Sequence, residues 1–214
     1  AAGDKIRIGY FSADFHNHAT ALLMADLFER HDRQRFEWHG FSFGPDRNDS
    51  VRERLTQGFD HFHDIRHLSD LEAAALARQL EIDVAVDLKG YTKDSRPGIF
   101  AHRAAPVQVN YLGYPGSMSM PYMDYILADS VIIPEEAFAH YSEKVVRLPW
   151  CYQPNDSRRA PPSRQPDRQA FGLPENAFVF CCFNNNYKIT PGQFALWAQI
   201  LQHVPGSLLW LYVS

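Results

Sequence analysis

Lys5-Ile6-Arg7-Ile8-Gly9-Tyr10-Phe11-Ser12 alternates polar and apolar residues and becomes rich in β-formers at its end, which is the pattern of a strand. The chain continues through Ala13-Asp14-Phe15-His16-Asn17-His18-Ala19-Thr20 into Leu22, Leu23, Leu27 and Phe28 at helical spacing, with Thr20 expected as the helix cap. Strand, polar loop and helix in that order open an α/β unit. In open α/β sheets the ligand crevice lies outside the carboxyl ends of the strands. A carboxylate, an amide, two imidazoles and a hydroxyl are therefore expected where a substrate would sit, and such a set can accept or move a proton near neutral pH.

The same alternation continues outward from this start. Strands are expected at Phe36 to Phe43, His61 to Ile65, Ile82 to Leu88, Val107 to Leu112, Met123 to Leu127 and Lys144 to Leu148. Helices are expected from Asp49 to Thr56, from Ser69 as cap through Leu80, and briefly around Gly98 to His102. Strands alternating with helices argue for a parallel sheet covered on both faces. From Pro149 to Pro166 the periodicity gives way to Pro, Ser, Arg and Gln, which reads as a linker. Beyond it, Ala177 to Phe183, Thr190 to His203 and Ser207 to Val213 read as strand, helix and strand. The expected division is 1–150, a linker over 151–170, and 171–214 as the start of a second, incomplete nucleotide-binding half.

Composition narrows the function classes. In 214 residues, 21 Lys and Arg stand against 25 Asp and Glu with no basic stripe, so no nucleic-acid partner is expected. No apolar run reaches the roughly 18 residues of a spanning helix, and neither a membrane partner nor a leader segment is expected. Cys151, Cys181 and Cys182 are too few and too unevenly placed for a disulfide framework, which suits a reducing cytoplasm. Cys181 and Cys182 are neighbours on a strand and point to opposite faces, so they are expected as two buried thiols rather than a shared metal site.

Neither G-x-x-x-x-G-K-[ST] nor G-x-G-x-x-G after a strand occurs, so a P-loop or a dinucleotide-binding turn is not supported. The better anion site is Phe183-Asn184-Asn185-Asn186-Tyr187-Lys188-Ile189-Thr190-Pro191, with Thr190 as N-cap and Pro191 as first helical residue. A helix N-terminus beside a lysine suits phosphate, although an ordinary capped turn with a solvated Lys188 fits the spacing equally well. His61 and His63 share a strand face, but no third ligand has a recognisable spacing, so no metal is expected. Arg96, Arg103, Arg158 and Arg159 read as solvated charges.

Three segments together resemble the O-linked N-acetylglucosamine (O-GlcNAc) transferases, glycosyltransferase family 41. They are Ser12 to Thr20, Val109-Asn110-Tyr111-Leu112-Gly113-Tyr114-Pro115-Gly116-Ser117 with Met123-Asp124-Tyr125, and Phe183 to Ile189. Gly90-Tyr91-Thr92-Lys93, Tyr141-Ser142-Glu143-Lys144 and Leu208-Leu209-Trp210-Leu211 agree in the same order. The chain resembles the catalytic region of a bacterial homologue. That resemblance implies a GT-B fold of two Rossmann-like halves and an inverting, metal-independent transfer. UDP-N-acetylglucosamine is the implied donor, and a Ser or Thr hydroxyl of a protein or peptide is the acceptor. No cofactor is implied beyond the donor substrate.

By motif match, His18 falls on the family's histidine for proton transfer or acceptor positioning, and Asp14 on a carboxylate associated with it. Asn17 and Thr20 line that loop, while Leu112, Gly113 and Pro115 fall near the donor sugar. Lys188 falls on the lysine that contacts the diphosphate, and Asn185 stands where the family often has Gln. Ala19 replaces a proline that usually follows the histidine. Relatives within the family transfer fucose from GDP-fucose or hexose from a UDP donor to Asn, and a non-catalytic nucleotide-binding module is the alternative of another class.

Overall fold

Seven strands of the first unit pair in parallel throughout, in the order β3-β2-β1-β4-β5-β6-β7. A computed structural model describes residues 5–159 and 167–212, which divide into two compact units between Arg159 and Ala160. In the first unit β1 is Ile6–Ser12, β2 Phe36–Ser42, β3 His61–Asp64, β4 Val84–Asp87, β5 Val107–Tyr111, β6 Tyr125–Ala128 and β7 Lys144–Arg147. Between them run α1 Ala19–Glu29, α2 Ser50–Gly58, α3 Asp70–Gln79 and α4 Gly98–Ala101. The chain winds outward from β1 to β2 and β3, then crosses back to add β4 on the other side of β1. That reversal is the topological switch point at which open sheets of this kind hold ligands.

Each face of the sheet is desolvated by its own helices, as an all-parallel sheet requires. Tyr10, Trp38 and Val86 pack with Ala21, Met24, Ala25 and Phe28 of α1 and Leu55 of α2. On the other face Phe11, Phe41 and Ala85 pack with Ala73, Ala74 and Ala77 of α3 and with Ile99 and Phe100 of α4. Phe11 and Phe41, register partners on β1 and β2, stack at 4.3 Å between ring centroids beneath the alanines of α3. Helix starts follow local chemistry: Asp49 caps α2, and Ser69 with Glu72 forms a capping box on α3.

The described second unit holds β8 Val179–Cys182 and β9 Leu208–Leu211, paired in parallel, with α5 Pro191–His203 between them. A short 3-10 turn, Asn186–Lys188, precedes α5. Residues 160–166 of the expected linker and residue 213 of the expected last strand lie outside the described residues.

Several expectations need correction. Thr20 does not cap α1: it is already the second helical residue, and His18, two residues earlier, is the cap, its ring nitrogen accepting the Thr20 amide. The strands expected from Ile82, Met123 and Ala177 begin two residues later, since apolar character runs on into the connections. A 3-10 segment at Glu135–His140 was not foreseen. Cys181 is exposed and Cys182 only half-buried, because β8 is covered by one helix and paired on one edge within the described second unit. Arg96 is no solvated charge: it fastens the β3–α3 connection through Asp70 and the carbonyls of Ile65 and Leu68. Arg103 likewise binds the Tyr122 and Pro106 carbonyls and Asp124. Arg158 stays largely solvated, as expected, while pairing with Glu29.

Phe11 is fully buried in the central strand, so Phe11→Ala removes one half of the stack and leaves a cavity. The expected cost is about 3–5 kcal/mol in urea unfolding, well beyond any surface change.

Candidate active site at the sheet's switch point

Asp14 and Lys89 meet across the switch point between β1 and β4. Lys89 Nζ lies 2.7 Å from Asp14 Oδ2, with both side chains almost wholly buried. Sequence order brings each of them there. Asp14 follows β1 by two residues, and its amide donates to Ser12 Oγ at 2.9 Å. Lys89 follows β4 by two, and its amide donates to Asp87 Oδ1 at 2.8 Å, an Asx turn at the strand end. Asp87 is buried, and desolvation pushes its carboxyl up to about 6 against the backbone N–H groups of Lys89 and Gly90 and the Lys89 charge.

His18 stands beside this pair, with Nδ1 3.6 Å from Asp14 Oδ2. The same Nδ1 accepts the Thr20 amide at 3.3 Å, so the neutral ring carries its proton on Nε2 in this geometry. Partial burial lowers the imidazole's pKa; the Asp14 charge opposes this, and Lys89 and His16 add to it. His18 is therefore neutral at pH 7. Ala19 is the first residue of α1, the position that favours proline, so the exchange noted in the sequence leaves the helix start intact.

The loop is tied down from the neighbouring helix. The Asn17 amide donates to Asp49 Oδ2 at 3.0 Å while Asp49 Oδ1 caps α2. Arg52 reaches the Phe15 carbonyl and Ser42 Oγ. His16 Nδ1 is buried and has no hydrogen-bond partner among the described residues.

A second wall comes from β5. Leu112 adopts a left-handed φ of 68° and the Gly113 amide bonds the Tyr111 carbonyl at 2.8 Å, a three-residue turn with positive φ at its centre. A Cβ on Gly113 would lie 2.0 Å from the Leu88 carbonyl, so only glycine lets this turn press against the end of β4. Buried Asn110 holds the turn from beneath, donating to the Tyr114 carbonyl at 2.9 Å. Pro115 is exposed, and its carbonyl accepts from Tyr141 Oη.

Asp14, His18, Thr20 and Asn17 thus gather at the end of β1, and Leu112, Gly113 and Pro115 at the end of β5, one strand beyond β4. Lys188 and Asn185 belong to the second unit. There Lys188 is exposed and two residues ahead of Thr190, whose hydroxyl caps α5 through the Gln193 amide with Pro191 at the first helical position, as the sequence suggested. Sequence reading missed Lys89 and Asp87, while His16 was expected as the second imidazole of the loop. Lys89 and Asp87 carried one usable signal, since both close the strand Ile82 to Leu88, but only the strand order shows that β4 adjoins β1.

Comparison with known proteins places this geometry. The family model described as Glycosyl transferase family 41 matches residues 1–162 and 163–213. A probable UDP-N-acetylglucosamine–peptide N-acetylglucosaminyltransferase, SEC, of Arabidopsis thaliana is 39% identical over 213 residues, 97% of this chain and 22% of that protein. A Caenorhabditis elegans UDP-N-acetylglucosamine–peptide N-acetylglucosaminyltransferase is 36% identical over 151 residues, 70% of this chain and 13% of that protein. The chain therefore spans about a fifth or less of the length of these curated relatives. A mutant O-GlcNAc transferase of Thermobaculum terrenum matches 99% of this chain and 39% of its own at a TM-score of 0.86 and 34% identity. With the parallel sheet, this likeness bears out the expected GT-B-type α/β fold.

Two substitutions test the assembly. Lys89→Met leaves the Asp14 carboxylate buried without its partner and should cost about 3–5 kcal/mol of stability by urea unfolding. For Asp87 the raised carboxyl pKa means that the folded state keeps its proton while the unfolded state has lost it. Stability is accordingly lost as pH rises from about 4 to 6 and the deficit stays constant above. Asp87→Asn keeps the Oδ1 acceptor and should recover on the order of 2–3 kcal/mol at pH 8 and little at pH 4, read as the difference between variant and wild-type unfolding curves.

Proposed function

The chain belongs to glycosyltransferase family 41, and from that membership we propose that it supplies the acceptor side of an inverting, metal-independent transfer of N-acetylglucosamine from UDP-N-acetylglucosamine to Ser or Thr hydroxyls of proteins. The observation that carries the proposal is the Asp14–Lys89 pair with neutral His18 beside it at the switch point. The names of the Arabidopsis and Caenorhabditis relatives, both UDP-N-acetylglucosamine–peptide transferases, support this donor over GDP-fucose or a UDP-hexose.

In the proposed reaction the acceptor oxygen attacks the anomeric carbon as the bond to the diphosphate breaks. An imidazole that takes the hydroxyl proton must free Nε2. It does so in the other tautomer, in which the ring proton has moved through solvent from Nε2 to Nδ1, the Thr20 amide is released, and Nδ1–H donates to Asp14 Oδ2, 3.6 Å away at rest. Lys89 occupies the same carboxylate oxygen and keeps Asp14 in the role of orienter rather than base. Charge appearing on the leaving diphosphate is met by Lys188 and the N-terminus of α5, which carries no acidic residue in its first turn. Within the first unit Asn17 and Thr20 shape the acceptor loop and Leu112, Gly113 and Pro115 the side facing the donor sugar; within the second, Asn185 stands three residues before Lys188. The three free thiols fit a cytoplasmic location.

Calorimetric titration with UDP and GDP, followed by a transfer assay in the polypeptide that carries this chain, tests the reading. UDP should be preferred, and Lys188→Ala should weaken UDP binding about 10- to 100-fold, the loss of one charged contact. His18→Ala should lower turnover about 100-fold or more with UDP affinity unchanged. In the wild type the rate should fall as acid protonates His18. Equal affinity for GDP, or full turnover in both variants, refutes the assignment.

A further inference from the structure

A second polar cluster lies on the α3 face of the sheet, towards the opposite end of the strands from the crevice. Glu37 and His39 alternate on β2, and the register pairs His39 with His61, the first residue of the edge strand β3. Glu37 Oε1 is 3.0 Å from His39 Nε2 and 3.3 Å from His61 Nε2. One ligand-type atom from each of the three residues lies within 4.8 Å of the others. His39 is buried, Glu37 half-buried, and His61 open to solvent.

We propose that Glu37, His39 and His61 form a binding site for one divalent transition-metal ion such as zinc, clamping the edge strand to the sheet. Two imidazole nitrogens and a carboxylate oxygen are the donor set of three-ligand zinc sites. With metal–ligand bonds near 2.0–2.1 Å, tetrahedral ligand atoms sit about 3.3 Å apart, close to the two separations from Glu37 Oε1. The exposed His61 side leaves the fourth position to water. His39 also has the outer support that a metal-bound histidine takes: its Nδ1 is 3.0 Å from His63 Nε2, which fixes the ring with Nε2 towards Glu37. His63 is held in turn by stacking on Phe41 at 4.8 Å. Among the described residues the Lys or Arg that pairs with Glu37 is Arg7, 3.9 Å from Glu37 Oε1, and its guanidinium is directed to Glu81 at 2.5 Å.

No spacing within His61-Phe62-His63 could show this set, because two of its three members come from the neighbouring strand. The cluster is separate from the acceptor site: His39 lies three residues, about 10 Å, short of the crevice end of β2. The ion's role is thus to hold β3, an edge strand of four residues, against β2.

The test uses the full chain, stripped of metal and titrated with Zn²⁺ against a chromophoric chelator, with Co²⁺ absorption reporting the coordination. One Zn²⁺ per chain is expected, accompanied by a rise in Tm and Co²⁺ ligand-field bands. His61→Ala, an exposed change that leaves the core untouched, should abolish the tight phase and the Tm rise. His63→Ala should weaken binding about 10- to 100-fold, as loss of an outer partner does. His67→Ala, outside the cluster, should change neither. Wild-type binding no tighter than that of His61→Ala, or a Zn²⁺-dependent Tm rise that survives in His61→Ala, overturns the proposal. Circular dichroism confirms that each variant compared is folded.

Discussion

The buried ion pair between Asp14 and Lys89 is the contact on which the geometry of the switch point depends. It closes the gap that opens where the chain reverses its direction of winding, between the ends of β1 and β4. Two charges taken out of water are tolerable there only because each is held by its own strand end: Asp14 by Ser12, Lys89 by the Asp87 turn. From that pair the order spreads. Asp14 sets the floor beneath His18, His18 caps α1, and Asp49 ties the same loop to α2.

The structure separates two tasks along one sheet. Crevice-end residues are strained or unsatisfied: Leu112 has a left-handed backbone, Asp87 is a buried carboxyl with a raised pKa, and His16 Nδ1 lacks a partner among the described residues. Such features gather at sites where a ligand completes what the fold leaves open. The middle of the sheet is a dense aromatic and alanine core, in which Trp38 Nε1 is buried without a hydrogen-bond partner among the described residues. Rigidity at the centre lets the ends carry unfavourable groups without loss of position.

Much of this was legible in the sequence. The alternation of strand and helix patterns gave the parallel architecture, since period-2 and period-3.6 signals are local. Asp14 and His18 were legible because a polar loop directly after a first strand has one place to go in such a sheet. Lys89 was not, for a lone lysine after a buried strand looks like any solvated cation until strand order places it next to β1. The pairing of His39 with His61 was hidden for the same reason: register between strands is a property of the assembled sheet. Strand starts were read two residues early where apolar residues such as Ile82 and Met123 serve the core from a connection rather than from a ladder.

The distance in sequence between Asp14 and Lys89 has a consequence for how the molecule comes into being. The pair spans 75 residues, and β1 must wait for β4 before its second edge is covered. Parallel pairings of that range form late, after the loop entropy of the intervening chain has been overcome. During synthesis at about 5–20 residues per second, β1 and β2 emerge seconds ahead of the strand that completes them, with one edge of β1 unpaired. The Asp14–Lys89 contact is thus among the last features of the first unit to exist, and a nascent chain cannot hold the Asp14 carboxylate in place until β4 has joined the sheet.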